Sequence, residues 1–484
     1  MPDVTLGDLV SGALTLLELI SLCFVPAVLT RRKEPAATFA WIVTLVTLPA
    51  LGVVLFWYLG RDRVRRPLRT RERVNRALRQ RTLDRLRPVD GVVQETRERT
   101  LEGGFFADAP EALRGVMRLA MRTGRAEPIA GNDVEVLVGA PATWHAIAAA
   151  IDAARHTVHL EYYAFRLGPS ASPVFDALVR AAGRGVSVRL LYDAFGSAGL
   201  RRRLRPLHDA GGRSAPFFPL DPIRRGATIN LRNHRKLVTV DGCVGFAGGI
   251  NVGDEFSAWR DVHLRIAGPA VRQLEAIFVE DWFFATREDL LETTLAEVPA
   301  AGPSSIQIVQ SGPDETLEAI QRLYFAAIAA ARQRVWITTP YFVPDRAVLV
   351  ALETAALRGV DVKLLVPERS NWWLATDAGR SFYDGLLGAG VEIHEYLPGM
   401  LHTKAMVVDG HFGTVGSANL DVRSFRLNFE LLVVLYDPRL VAELEALFRA
   451  DQREARPLSL AAWRARPFHH RVREGLGRLF SPLL

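Results

Sequence analysis

A histidine, a lysine two residues on and an aspartate five further occur twice, as His234, Lys236 and Asp241 and again as His402, Lys404 and Asp409, 168 residues apart. The 484-residue chain holds only four lysines against fifty-six arginines, and two of the four fill this one motif position. A lysine is a compact point charge and an arginine a planar fork, so they do not substitute for one another where a small anion is gripped beside a nucleophile. Lysine kept in both copies points to chemistry on a phosphate.

The residues that follow repeat as well. Gly248-Gly249-Ile250-Asn251 matches Gly416-Ser417-Ala418-Asn419 at the same offset of 168, and a carboxylate comes next in each copy, Asp261 27 residues after His234 and Glu430 28 after His402. One short motif arises often by chance; two copies sharing this many positions do not. If both sets face one cleft, one imidazole attacks phosphorus to give a phosphohistidine. The other then protonates the leaving alcohol and later deprotonates the incoming one. Lys236, Lys404, Asn251 and Asn419 are the expected donors to the non-bridging oxygens. Asp261 and Glu430 are expected each to accept from the far ring nitrogen of a histidine. Asp241 and Asp409 each precede a glycine, a favoured hairpin turn. They stand either as members of the catalytic set or as residues that hold the turn. A hydroxyl contact to phosphate is open to one copy only, through Ser417, because Gly249 takes its place in the other. No metal or other cofactor is expected, since the lysines supply the positive charge and no carboxylate cluster suits magnesium or zinc.

The elements that must position these groups are also duplicated. Residues 157–163 read as a strand, 174–183 as a helix and 185–192 as a strand; 334–342, 346–357 and 359–366 repeat that order. Each half therefore contains a β-α-β unit with a right-handed crossover. His234, Lys236, Val238 and Val240 share one strand parity, as do His402, Lys404, Met406 and Val408, so each histidine and its lysine project from one face. Pro299-Ala300-Ala301-Gly302-Pro303 reads as a linker between a first lobe over 106–298 and a second over 304–484.

Ahead of the lobes, residues 1–60 read as a two-helix transmembrane hairpin with spans of about 9–29 and 39–59; the second run carries no charge. The acidic start, Met1 to Asp8, lacks the basic region of a signal peptide. Residues 61–105 form an arginine-rich juxtamembrane stretch, with twelve arginines against three acids between Arg61 and Arg87. The larger positive cluster stays in the cytoplasm, which sets both chain ends and the lobes on that side. The same stretch reads as a helix on anionic headgroups or as a solvated linker. The basic carboxy-terminal stretch from Trp463 reads as an interfacial segment or as a helix on the second lobe. The two cysteines suggest neither a metal site nor a disulfide framework.

With the motifs SGPD (Ser311 to Asp314), TPYFVPD (Thr339 to Asp345), LHTKAMVVD and GSANLDVRSFRLNFE (Leu401 to Glu430), the duplicated set resembles the bacterial cardiolipin synthases of the phospholipase D superfamily over nearly the whole chain. The resemblance implies an α/β fold of two phospholipase D-like α/β/α sandwich lobes related by pseudo-twofold symmetry. It implies a multi-pass enzyme of the bacterial cytoplasmic membrane that converts two phosphatidylglycerols to cardiolipin and glycerol. It also implies that His234 is the nucleophile and His402 the general acid/base. Its partners are then phosphatidylglycerol and other anionic membrane lipids, with no obligate protein partner. A phospholipase D releasing phosphatidic acid uses the same residues and stays open. A nucleic-acid phosphodiesterase is invited by a net charge of +7. Nucleic acid is nonetheless not the expected partner: the arginines cluster beside the apolar segment, and no aromatics interleave with basic residues in the two halves.

Overall fold

The computed structural model describes residues 18–30, 35–56, 81, 110–124, 127–219, 230–291, 298–315 and 317–481. The chain divides into two compact units, Met1–Arg69 with Ile223–Thr228, and Thr70–Pro222 with Ile229–Leu484.

In the first unit the apolar runs form short helices, Val25–Leu29, Pro35–Thr47 and Pro49–Leu55. The expected single spans are not found: among the described residues no helix is long and apolar enough to cross a membrane. The reason in the second run is Pro49. It has no N–H to continue the ladder and drives Leu48 out of the helical region, to φ −132° and ψ 67°. Gly52 permits the close approach that follows, since a Cβ there would lie 2.6 Å from the Thr44 carbonyl oxygen. The Ser21 hydroxyl donates to the Leu45 carbonyl at 2.6 Å. Residues 9–17 and 57–59 of the expected spans, and 61–105 apart from Arg81, lie outside the described residues.

The second unit is built on one large sheet and a separate two-stranded one. Its first half supplies β1 (Ile129–Val138), β2 (Thr157–Tyr162), β3 (Ser187–Asp193), β4 (Arg213–Phe217), β5 (Arg232–Asn233), β6 (Lys236–Val240), β7 (Val244–Gly248) and β8 (Val262–Ala267). The second half supplies β9 (Ser304–Ser311), β10 (Arg334–Thr338), β11 (Phe342–Val343), β12 (Asp361–Pro367), β13 (Glu392–Tyr396), β14 (Ala405–Val408), β15 (Phe412–Gly416), β16 (Leu420–Asp421), β17 (Asn428–Leu435) and β18 (Ala455–Pro457). β1 and β9 pair antiparallel at the centre. Reading outward, the order is β1-β8-β7-β6-β2-β3-β4 on one side and β9-β17-β15-β14-β10-β12-β13 on the other, with β18 added at the second edge. Acid strand, return strand, His-Lys strand and then parallel strands thus follow in the same sequence on both sides, which is a pseudo-twofold arrangement.

The parallel strands are joined through helices, as β-α-β units require. Ser172–Gly183 links β2 to β3, and Arg346–Leu357 lies between β10 and β12. One face of the first half is covered by Ala140–Ala153 and Ser172–Gly183, whose Trp144, Ile147, Leu178 and Ala181 share a core with Leu160, Leu190 and Val238. Val271–Thr286 lies against β2, β4, β6 and β7. In the second half Ala319–Ala330 and Arg346–Leu357 build the main core, and Pro438–Arg453 lies against β10, β13, β14 and β15. One helix crosses the division of the chain: Glu111–Gly124 precedes β1, yet its Leu113, Val116 and Met117 lie in the second-half core with Ile320 and Leu323.

Candidate active site

The two histidines enter the sheet along strands of the opposite lobe. β5 runs parallel to the start of β17, with Arg232 opposite Asn428 and Asn233 opposite Phe429. The His234 N–H then donates to the Phe429 carbonyl at 2.9 Å. In the other half Arg260 and Leu401 form a parallel bridge, and the His402 N–H donates to the Arg260 carbonyl at 2.7 Å. Phe429 immediately precedes Glu430, and Arg260 immediately precedes Asp261. The backbone pairing therefore hands each histidine to the acid of the other lobe.

The side chains follow. His234 Nδ1 lies 3.0 Å from both carboxylate oxygens of Glu430. His402 Nδ1 lies 2.6 Å from Asp261 Oδ2. Tyr163 sits edge-on to the His234 ring at 4.9 Å between centroids, and Trp259 lies 4.8 Å from the His402 ring. With Nδ1 turned to an ionised acid, the hydrogen bonding assigns the proton of each neutral ring to Nδ1 and leaves Nε2 as the base.

Lys236 and Lys404 are fully buried, and each ammonium turns back to the carbonyl of its own histidine. Lys236 Nζ donates to the His234 carbonyl at 2.6 Å, and Lys404 Nζ donates to that of His402. The two half-sites share one electrostatic neighbourhood: the charge of Lys404 acts on His234, and that of Lys236 acts on His402. Burial lowers the His234 imidazole to about 4, with Lys236 helping and Glu430 opposing. Burial, then Lys404, lowers His402 to about 3. Desolvation also brings Lys236 down to about 7 and Lys404 to about 8. Burial alone would raise both acids. For Glu430, His234, Lys236 and the Ser417 hydroxyl outweigh it and hold the group at about 2. For Asp261, Lys404 and His402 do the same and keep it below its ordinary value. At neutral pH the site thus presents two carboxylates, two uncharged imidazoles and two lysines poised near their titration points.

The two acid pockets differ. Ser417 Oγ donates to Glu430 at 2.5 Å and accepts from the Leu431 N–H at 2.9 Å, so its proton is committed to the acid. Gly249 takes the matching place in the first half because Asp261 fills it: a Cβ there would lie 2.2 Å from Asp261 Oδ1. Asn251 Oδ1 accepts from the Ala164 N–H at 3.3 Å, which leaves its amide nitrogen as donor. Asn419 is buried, its backbone N–H bonded to Ser424 Oγ at 3.1 Å.

Asp241 and Asp409 sit elsewhere, at the far ends of the His-Lys strands. Both occupy left-handed backbone, at φ 50° and 52°. Asp241 accepts from the N–H groups of Arg155, His156 and Thr157 at 2.7–2.9 Å. Asp409 accepts from those of Arg332, Gln333 and Arg334 at 2.8 Å. Each carboxylate therefore ties its hairpin to the chain entering the first parallel strand of its lobe, and contacts neither histidine.

A second layer escaped the motif reading. Arg235, between the motif residues and on the opposite parity, is buried and ion-paired with Asp281, and its guanidinium reaches Gln310 Oε1 at 2.9 Å. Asn233 donates to Glu161 at 2.6 Å, and burial, then the charge of Asp281, raises the Glu161 carboxyl well above its usual range. The available signal was a charged residue on a strand with both faces buried, at Glu161 and at Arg235. Among the described residues no group of three or more His, Cys, Asp or Glu could hold a metal ion.

Residues 147–282 and 324–452 match the family model described as cardiolipin synthase, phospholipase D-like domain. Cardiolipin synthase of Geobacillus sp. (strain WCH70) is 38% identical over 485 residues, which spans 98% of this chain and 94% of that one. The chain belongs to this family. Cardiolipin synthase 2 of Bacillus anthracis is 36% identical across 94% of this chain and 88% of its own length. The crystal structure of phosphatidylserine synthase from Haemophilus influenzae Rd KW20 superposes with a TM-score of 0.60 at 14% identity, covering 76% of this chain and 100% of that one. At that identity the likeness speaks for the fold, mixed α/β and phospholipase D-like. In this family member each acid is delivered to the histidine of the other lobe.

Proposed function

We propose that the chain is a membrane-bound transphosphatidylase that converts two phosphatidylglycerols to cardiolipin and glycerol through a phosphohistidine. The observation that supports this reading is the crossed pairing of His234 with Glu430 and His402 with Asp261, which turns each Nδ1 to an acid and leaves both Nε2 atoms as bases. His234 Nε2 attacks the phosphodiester, and a P–N bond forms as the P–O bond to the headgroup glycerol breaks. His402 gives that oxygen a proton, and glycerol leaves. It then takes the proton from a glycerol hydroxyl of the second lipid, whose oxygen attacks phosphorus and expels His234.

His402 must be protonated for the first half, although the empty site keeps it neutral. The bound phosphodiester anion offsets the charge of Lys404 and raises the imidazole, so the acid is loaded by substrate. Lys236, Lys404, Asn251 and Asn419 donate to the non-bridging oxygens as charge builds on them. The positive charge that a metal would bring is supplied by the lysines. A cleft open to lipid rather than to bulk water favours transfer over hydrolysis.

The amino-terminal unit supports membrane attachment. Leu19, Leu22, Leu29, Phe39, Val46 and Leu51 are large apolar side chains left exposed there. We read it as the anchor of an enzyme of the bacterial cytoplasmic membrane, with the lobes on the cytoplasmic side, as the positive charge of the arginine-rich sequence implies.

The test is product analysis with the purified protein in phosphatidylglycerol vesicles. Cardiolipin and glycerol should appear in equal amounts; phosphatidic acid as the main product would make the enzyme a hydrolase. With a substrate whose leaving group needs no proton, His402→Ala should accumulate a labelled phosphatidyl-enzyme, whereas His234→Ala should form none. Label retained in His234→Ala and lost in His402→Ala would reverse the roles.

A further inference from the structure

The catalytic groups lie at one edge of the sheet. Lys236 pairs with Tyr162, the last residue of β2, and Lys404 precedes Ala405, which pairs with Thr338, the last residue of β10. This is the carboxyl edge of the parallel strands, where open α/β sheets hold their ligands. Large apolar side chains stand exposed along the same edge. Phe195 lies two residues past β3, Trp372 and Trp373 follow β12, and Leu397 follows β13. Trp373 is 67% exposed, in a chain that had a core available to cover it. The tryptophans are tied to the site, because the Tyr341 hydroxyl donates to Asn371 Oδ1 just before them. The backbone carbonyl of Tyr341 accepts from Thr339 Oγ1 at 2.9 Å, and the same hydroxyl receives the Leu420 N–H, next to Asn419, at 3.2 Å.

The carboxy-terminal helix Phe468–Leu479 adds to this surface. It lies along Trp373–Arg380, the helix that Trp373 opens. Gly477 allows the contact, since a Cβ there would lie 2.8 Å from the Ala378 nitrogen, and Arg473 bonds to Asp377 at 2.9 Å. At 100° per residue, Phe468, Val472, Leu476 and Leu479 fall on the opposite face. Phe468 and Leu479 are 72% and 73% exposed. Arg471 and Arg478 lie along one side of that face, the Arg471 guanidinium 5.7 Å from the Phe468 ring and that of Arg478 5.1 Å from the Phe382 ring. An exposed apolar stripe with arginines beside it matches the anionic headgroup region of a bilayer, and tryptophans at its margin suit the same depth.

We propose that the Phe195–Trp372–Trp373–Leu397 rim and the outer face of the carboxy-terminal helix form a second membrane contact, which seats the mouth of the site on an anionic bilayer. The first apolar unit tethers the chain; this surface aims the cleft at the plane from which lipid is drawn. The inference rests on the lipid-transferase reading of the site.

The test uses the full-length protein with 1:1 phosphatidylglycerol/phosphatidylcholine vesicles and with a short-chain phosphatidylglycerol below its micelle concentration. In Trp372→Ser/Trp373→Ser and in Leu476→Ser/Leu479→Ser, the ratio of vesicle to monomer turnover should fall by about tenfold, as loss of interfacial apolar anchoring predicts. Brominated lipid should quench wild-type fluorescence more than that of Trp372→Phe/Trp373→Phe. An unchanged turnover ratio overturns the proposal, whether both activities fall together or neither falls. Quenching without turnover on either lipid would instead sink the transferase reading and leave the contact standing.

Discussion

His234 shares its Nδ1 proton with Glu430, 196 residues away, while Asp261, on its own lobe, serves His402 instead. Neither lobe alone holds an oriented imidazole, so the duplication yields one site and not two. On the proposed scheme, Glu430→Gln should act on the attack assigned to His234 and Asp261→Asn on the proton transfers assigned to His402. Each should lower kcat by up to about ten-thousandfold, the loss found when the acid behind a catalytic histidine becomes an amide. With an activated ester, Glu430→Gln should slow the burst, and Asp261→Asn should leave the burst and slow the turnover after it. Identical burst defects in both variants would contradict the crossed assignment.

Gly249 and Ser417 occupy matching positions but do different work. A methyl group at 249 would displace the Asp261 carboxylate, whose Oδ1 lies 2.2 Å from the Cβ position. Gly249→Ala should therefore fold, since the position needs no left-handed backbone, and lose His402 function as severely as Asp261→Asn. Ser417→Ala removes one hydrogen bond to the Glu430 carboxylate, worth about 1.5–3 kcal/mol where the acceptor is charged. Its kcat should drop by about tenfold, with KM little changed. Kinetics on the two variants at matched circular dichroism check both expectations.

Much of this site was legible because it is written twice. Spacing alone brought out the histidines, lysines, asparagines and following acids, and period-two alternation placed each histidine and lysine on one face. The β-α-β units followed from the order of apolar strand-like and helical runs over 157–192 and 334–366. What could not be read was which acid meets which histidine, because that depends on β5 lying beside β17, a pairing between residues far apart in the chain. Arg235 and Glu161 were hidden for a related reason: on a strand with both faces buried, parity no longer separates core from surface. The apolar run 39–59 read as continuous because hydropathy does not register that Pro49 breaks the helical ladder.

Asp409 offers the opposite case, a motif residue whose contacts are structural. Its carboxylate satisfies three consecutive backbone N–H groups at 2.8 Å and touches no catalytic side chain. Asp409→Ala should lower stability by on the order of 3 kcal/mol, because these donors lose a charged acceptor. Activity per folded molecule should stay near wild type at low temperature. Denaturant melts and active-site titration separate the two effects. A fully stable but inactive variant would move Asp409 into the chemistry.

The lysines should set the alkaline limit of the reaction. Burial lowers Lys236 to about 7 and Lys404 to about 8 in the empty site, so each is charged below and neutral above those values. Only the charged ammonium attracts the phosphodiester. The rate constant kcat/KM, which reports the free enzyme, should therefore decline as pH rises through 7 to 8. On the acid side the imidazoles stay neutral down to about 4 for His234 and about 3 for His402, so no loss of the nucleophile is expected near pH 6. Once substrate is bound, its negative charge raises both lysines, and the alkaline limb of kcat should lie above that of kcat/KM. Lys236→Arg keeps its charge at every pH and should remove part of the alkaline decline. The larger fork does not fit a slot with no exposed surface, so the plateau should fall as well. A wild-type kcat/KM that holds level to pH 10 would show that the lysines are solvated, and with them the cleft that is meant to exclude water.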